Sequence, residues 1–207
     1  MKMDRNQMIK IKSISEITAY VDDLQAIIFD LDDTLYPKES YVQSGFHQIS
    51  RLFLGQVQAM YDQLWNAYVE QRTTERDHAA ADAAVAGAID AMLQAQGLYS
   101  DEMAEKCLRI FEYHRPVIRP YEGVVDLLEQ LRKRGIRLGL LIDGPAEMQR
   151  EKLRALGIIP FFDEILITDD IAGHGDVTKF RKPNPICFEI MQLRLDVPFE
   201  KIGYVGD

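Results

Sequence analysis

Four short apolar runs, each ending in an aspartate or next to one, set the limits on what this chain can fold into. Gln25-Ala26-Ile27-Ile28-Phe29-Asp30 is apolar without alternation, the pattern of a strand covered on both faces in a parallel sheet. Ile136 to Ile142, Glu164 to Thr168 and Ile202 to Val205 read the same way. Helical patterns separate the last three. Gly123 to Arg134 carries Val124, Leu127, Leu128 and Leu131 at helical spacing and stops at Gly135; a second helix opens at Pro145 and ends at Gly157; a third starts at Asn184-Pro185. Strands alternating with helices of about ten residues predict an α/β fold with an open parallel sheet. Ser13 to Asp23 predicts a short capped helix ahead of the first strand.

Between the first strand and this series, roughly Lys38 to Arg119, the signals are helical and strand signals nearly vanish, which marks an insertion. Phe46, Ile49, Phe53, Val57, Met60, Leu64 and Tyr68 step by three and four, predicting one long helix with a single apolar stripe. An alanine-rich helix follows over about His78 to Gln96, stopping at Gly97. Another begins after a Ser100 cap, with Met103, Cys107, Ile110 and Phe111 inward. The 207 residues suit one large domain or a core with a smaller companion, and 47% hydrophobic residues suffice for a buried core.

Charge and cysteine usage narrow the partners. Subtracting 33 acidic from 24 basic residues leaves −9, so nucleic acid and acidic membrane surfaces are repelled on average and neither is expected as a partner. No membrane span or secretory leader is apparent, and the default compartment is the cytoplasm. Cys107 and Cys187 sit in apolar helical patterns and read as core thiols. The four histidines, His47, His78, His114 and His174, show no metal-binding spacing, and neither a G-x-S-x-G elbow nor a G-x-G-x-x-G turn follows a strand.

In open α/β sheets ligands bind beyond the carboxyl ends of the strands. Here those ends read Asp30-Leu31-Asp32-Asp33-Thr34, Asp143-Gly144, Thr168-Asp169-Asp170 and Gly206-Asp207, with Lys182 in Arg181-Lys182-Pro183-Asn184-Pro185 just before the last helix. Carboxylates converging on one edge repel one another unless they share a cation, and hard oxygen donors select Mg²⁺. Taken singly, Asp143, Asp163, Asp169 and Asp170 read as helix caps and loop-solvating residues.

The string Asp30-Leu31-Asp32-Asp33-Thr34-Leu35-Tyr36 closing a buried strand resembles the first motif of the haloacid dehalogenase-like hydrolase superfamily. Ile142-Asp143-Gly144, Lys182 and Gly206-Asp207 stand in the places of its second, third and fourth motifs, in family order. The resemblance implies a Rossmann-like core over residues 1–36 and 120–207 with an all-helical cap over 37–119. It implies Asp30, Asp32 and Lys182 as catalytic residues, Asp143, Gly144 and Lys182 around a phosphate, and Asp30, Asp32 and Asp207 around Mg²⁺. The implied reaction is hydrolysis of a small phosphorylated metabolite, a nucleotide or sugar phosphate, through an aspartyl-phosphate on Asp30. A second acid at Asp32 favours the phosphatase branch over the dehalogenase branch, whose halide leaving group needs no proton.

Two departures stand out. The family's second motif carries a Thr or Ser hydroxyl toward the phosphoryl group where this chain has Ile142, and a missing charge-assisted hydrogen bond is worth about 1.5 to 3 kcal/mol, roughly ten- to a hundredfold in rate. The chain also stops at Asp207 where the family continues with a further acid, a helix and a strand, which suggests a truncated form. Both features keep open a catalytically weak or silent member acting in binding or signalling. A phosphoacceptor receiver uses a similar acidic pocket, but it carries no helical insertion of about eighty residues after its first strand. Sequence leaves the oligomeric state undetermined.

Overall fold

The computed structural model describes residue 10 and residues 13–72, 78–172 and 175–206. Its elements run in the order β1 (Ala26–Phe29), α1 (Lys38–Ser50), α2 (Val57–Gln71), α3 (His78–Ala95), α4 (Asp101–Tyr113), α5 (Val124–Lys133), β2 (Arg137–Ile142), α6 (Ala146–Leu156), β3 (Glu164–Ile167), α7 (Thr168–Ala172), α8 (Pro185–Leu195) and β4 (Ile202–Val205). Contacts divide the chain into two units, Met1–Pro37 with Arg119–Asp207, and Lys38–Ile118.

The first unit holds a four-stranded parallel sheet in the order β3-β2-β1-β4. β1 lies inside it, Ala26 pairing with Arg137 on one side and Ile202 on the other. All four β1 residues are buried, which is why their run shows no polar alternation. Alternate residues serve opposite faces. Ala26 and Ile28 join Leu141 and Leu166 under Cys187, Met191 and Leu195 of α8. On the other face Phe29 meets Phe162 edge-on, with ring centroids 6.3 Å apart. Gly139 lets α8 lie close to the sheet, since a Cβ there would come within 3.0 Å of the Met191 sulfur and 3.1 Å of a Leu195 methyl. The predicted stripe Val124, Leu127, Leu128, Leu131 is buried along α5, and Gly157 ends α6 in the left-handed conformation at φ 67°. Asn184 caps α8, its side chain accepting from the Ile186 amide at 3.1 Å.

Among its described residues the regular elements of the second unit are all helices, with α1 packed on α2 and α4, and α3 on α2 and α4. Phe46 and Tyr41 flank Phe111, at centroid separations of 5.9 and 5.5 Å, and Phe46 meets Tyr68 edge-on. Cys107 is buried, and Ser100 caps α4 by accepting from the Met103 amide. Both cysteines are free and buried, as their patterns predict.

Three local expectations fail. The stripe from Phe46 to Tyr68 does not run down one helix, because the chain breaks between Ser50 and Val57. There Ser50 Oγ donates back to the Phe46 carbonyl at 2.8 Å, a bond that bends helices, and Gly55 takes φ 85°. Phe46, Ile49, Met60, Leu64 and Tyr68 stay buried, while Phe53 and Val57 at the break are only partly covered. The helix expected over Ser13 to Asp23 is a shorter 3₁₀ helix, Ile14–Ala19. The third strand ends at Ile167, and Thr168 already begins α7. No helix among the described residues is long and apolar enough to cross a membrane.

Candidate active site

Asp30 follows the last residue of β1 and is 5% exposed. Its amide donates to the Val205 carbonyl at 2.8 Å, tying it to the end of β4. The Lys182 ammonium donates to its carboxylate and reaches the Leu141 carbonyl at 3.3 Å. The Lys182 backbone amide lies 3.2 Å from both carboxylate oxygens of Asp143, and the Thr168 hydroxyl donates to Asp143 at 2.9 Å. The ends of β1, β2, β3 and β4 are thus tied together through Asp30, Asp143, Thr168 and Lys182.

Electrostatics mark this edge as strained for charge. Burial holds the Asp30 carboxyl above its ordinary value, against the pull of Lys182. Burial would lower the Lys182 ammonium, but Asp30 foremost, then Tyr204 and Asp143, leave it above the usual lysine value. The two side chains meet as an ion pair at this buried edge. Tyr204 on β4 also bonds Lys182; desolvation of its hydroxyl pushes it up to about 12 although the ring stays partly exposed.

Asp32 lies two residues beyond Asp30, in a turn fixed by Leu35 N–H donating to the Leu31 carbonyl at 3.0 Å and by Asp33 at φ 56°. Its carboxylate faces Lys152 of α6, whose ammonium donates to the two oxygens at 2.9 and 3.0 Å, and the Tyr36 hydroxyl donates to the first of them. Lys152 is 2% exposed. Sequence reasoning missed it, although a signal existed: Gln149, Lys152, Leu153 and Leu156 are spaced as the buried stripe of α6, and a lysine on such a stripe needs a partner. Thr168, hidden at a strand end, was missed for want of any such periodicity.

The remaining sequence candidates fall into place individually. Gly144 follows Asp143 at φ 115°, and the Gln149 amide donates to the Asp143 carbonyl at 2.9 Å. Ile142 ends β2 and is 2% exposed. Asp169 accepts a two-pronged bond from Arg181 at 2.9 and 2.7 Å, Asp170 is paired with Arg150 at 2.7 Å, and Asp163 accepts from the Leu138 amide at 2.7 Å. The sequence reads these three as caps and loop-solvating residues; these contacts are ion pairs for Asp169 and Asp170 and a backbone hydrogen bond for Asp163. Asp207 lies outside the described residues.

Among the described residues no group of three or more His, Cys, Asp or Glu is disposed to hold a metal. The donor chemistry at the β1 end nonetheless suits a hard cation: the buried Asp30 carboxylate, which burial penalises even with Lys182 beside it.

Comparison with known proteins gives the family and the fold. Residues 24–207 match the family model of haloacid dehalogenase-like hydrolases. A glyceraldehyde 3-phosphate phosphatase of Methanopyrus kandleri is 29% identical over 194 residues, spanning 89% of this chain and 76% of that protein. Its namesake from Methanothermobacter thermautotrophicus is 30% identical over 199 residues, with 89% and 77% covered. A solved HAD-type hydrolase of Bacillus subtilis bound to magnesium shares the fold at a TM-score of 0.55 and 23% identity, over 87% of this chain and 77% of that one.

Proposed function

The chain belongs to the haloacid dehalogenase-like hydrolases, and from that premise we propose that it hydrolyses a small phosphomonoester through an aspartyl-phosphate on Asp30. The observation that carries this reading is the buried Asp30 carboxylate at the carboxyl end of β1, held by Lys182. A carboxylate is a weak nucleophile in water, but held in line with a phosphoryl group it divides one hard displacement into two easier ones. An Asp30 oxygen bonds to phosphorus as the bond to the alcohol oxygen breaks, and Asp32 gives that oxygen a proton. Water then bonds to phosphorus and returns its proton to Asp32, the Asp30–phosphorus linkage breaks, and inorganic phosphate leaves with Asp30 restored. Lys182 offsets charge on the phosphoryl oxygens. The Asp143 carboxylate is engaged by the Lys182 amide and Thr168, so Asp143 and Gly144 serve the phosphate through their main-chain amides.

Phosphatases of this family generally need a divalent cation. Mg²⁺ fits the hard oxygen donors; Asp30, the Asp32 carbonyl and Asp207 would hold it, and when bound it neutralises phosphoryl charge. The relatives named glyceraldehyde 3-phosphate phosphatase point to a short phosphorylated aldehyde within the small-metabolite class, and the helical unit Lys38–Ile118 would act as the cap.

Phosphate release from glyceraldehyde 3-phosphate, sugar phosphates and nucleoside monophosphates, with and without Mg²⁺, tests the proposal against Asp30→Asn in parallel. Turnover should fall by at least about a thousandfold in Asp30→Asn, the scale of removing a covalent nucleophile. Wild-type turnover in that variant overturns covalent catalysis by Asp30. A wild-type protein that binds these esters and releases nothing would instead mark a silent member, the outcome that Ile142 keeps in view.

A further inference from the structure

We propose that Lys152 is the positioning residue of the acid/base: with Tyr36 it clamps Asp32 in the one orientation from which that carboxyl serves the leaving oxygen. The inference rests on the phosphatase reading above and deepens it.

Lys152 is an expensive residue at its position. Its ammonium is enclosed on the inward stripe of α6, where a methionine of similar length would pack without needing a counter-ion. What the charge gains is a contact with both Asp32 oxygens, at 2.9 and 3.0 Å, from a donor fixed by a helix rather than by a loop. Tyr36, itself buried, adds a donor from four residues along the same turn. Two donors from different directions fix the carboxyl's side-chain torsions, and a protonated carboxyl keeps acceptor capacity on both oxygens, so the clamp serves each of its states. The same face of α6 also serves the neighbouring strand end, where Gln149 donates to the Asp143 carbonyl. The polar positions of this helix face are thus directed at Asp32, in the turn after β1, and at Asp143, which follows β2.

A general acid matters in proportion to how badly the leaving group needs a proton. A merely structural Lys152 lowers turnover of every ester alike; a positioning Lys152 lowers it selectively. The test compares glyceraldehyde 3-phosphate, whose alkoxide must be protonated, with 2,4-dinitrophenyl phosphate, whose phenolate leaves unaided. Lys152→Met should lower kcat/KM, which reports the first phosphoryl transfer and not the water step common to both esters, about a hundredfold on the first and no more than about threefold on the second, within the usual range of general-acid contributions. Lys152→Arg should restore much of the loss. In an Asp32→Asn background, Lys152→Met should cost nothing further, because its target is gone.

Equal losses of kcat/KM on both esters, or an undiminished loss in the Asp32→Asn background, overturn the positioning role while leaving the phosphatase reading intact. A wild-type protein inert toward both esters removes that reading and this inference with it. If Lys152→Met does not fold, as judged by its melting transition, Tyr36→Phe decides instead. It should show the same selectivity at about three- to tenfold, the share of one lost hydrogen bond, and equal small losses on both esters count against the clamp.

Discussion

The two units differ in the charge they bury. In the helical unit the ion pairs Arg109–Glu105 and Arg72–Glu39 sit on the surface, their side chains 69% and 64%, and 47% and 47% exposed. Among the described residues, the polar side chains buried inside that unit are tied to its own backbone: Ser44 accepts from the Val117 amide, Ser50 donates to the Phe46 carbonyl, and His114 Nδ1 lies 2.6 Å from the Phe111 carbonyl. In the sheet unit the side chains of Asp32–Lys152 are 14% and 2% exposed, and those of Asp30–Lys182 7% and 17%. Buried ion pairs are poor stabilisers, because desolvation consumes most of their attraction. A fold with apolar residues to spare has no structural need of two at one sheet edge. The difference teaches where selection has accepted instability, and so where to look for chemistry.

The contrast can be broken most forcefully at Asp32. Asp32→Asn leaves the Lys152 ammonium buried beside a neutral amide, and urea unfolding should show a loss of about 3 to 5 kcal/mol. A loss under 1 kcal/mol would mean that the pair is effectively solvated and that the sheet edge is no different from the helical surface. The edge should also be able to gain. Ile142→Thr keeps a β-branched residue that suits the strand and adds a hydroxyl at the end of β2, so kcat/KM should rise about ten- to a hundredfold, the 1.5 to 3 kcal/mol of a charge-assisted hydrogen bond. A folded Ile142→Thr protein that gains on no substrate would show that this side chain does not serve the phosphoryl group. The smallest effect belongs to the helical surface. Glu105→Gln removes an exposed i,i+4 pair and should cost about 0.3 to 0.5 kcal/mol by the same unfolding measurement, with turnover unchanged.

Periodicity made the sheet legible, because Ala26–Phe29 are covered on both faces and leave an unbroken apolar run, while Val124, Leu127, Leu128 and Leu131 repeat at helical spacing. Asp30 and Lys182 were legible from motif context. Lys152 was not, because a lysine among Gln, Arg and Glu on an amphipathic helix reads as a solvated face until its register against Leu153 and Leu156 is taken seriously. The break after Ser50 was hidden for the opposite reason: the apolar spacing from Phe46 to Tyr68 persists across it, while the cause is one hydroxyl bonding backwards and one glycine at positive φ. Pattern reports which face is buried; it does not report where the backbone changes direction.

The order of the strands has a consequence for synthesis. β1 is made before the helical unit, yet its two neighbours in the sheet begin at Arg137 and Ile202, beyond the whole of that unit. At about 5 to 20 residues per second, Ala26–Phe29 waits roughly ten to thirty seconds on the ribosome for its second partner. The helices of Lys38–Ile118 pack largely on one another and can close during that interval, whereas the strand stays an open, apolar edge of the kind that chaperones hold and that aggregates recruit. The strand that leads into Asp30 thus emerges long before it can be enclosed on both sides.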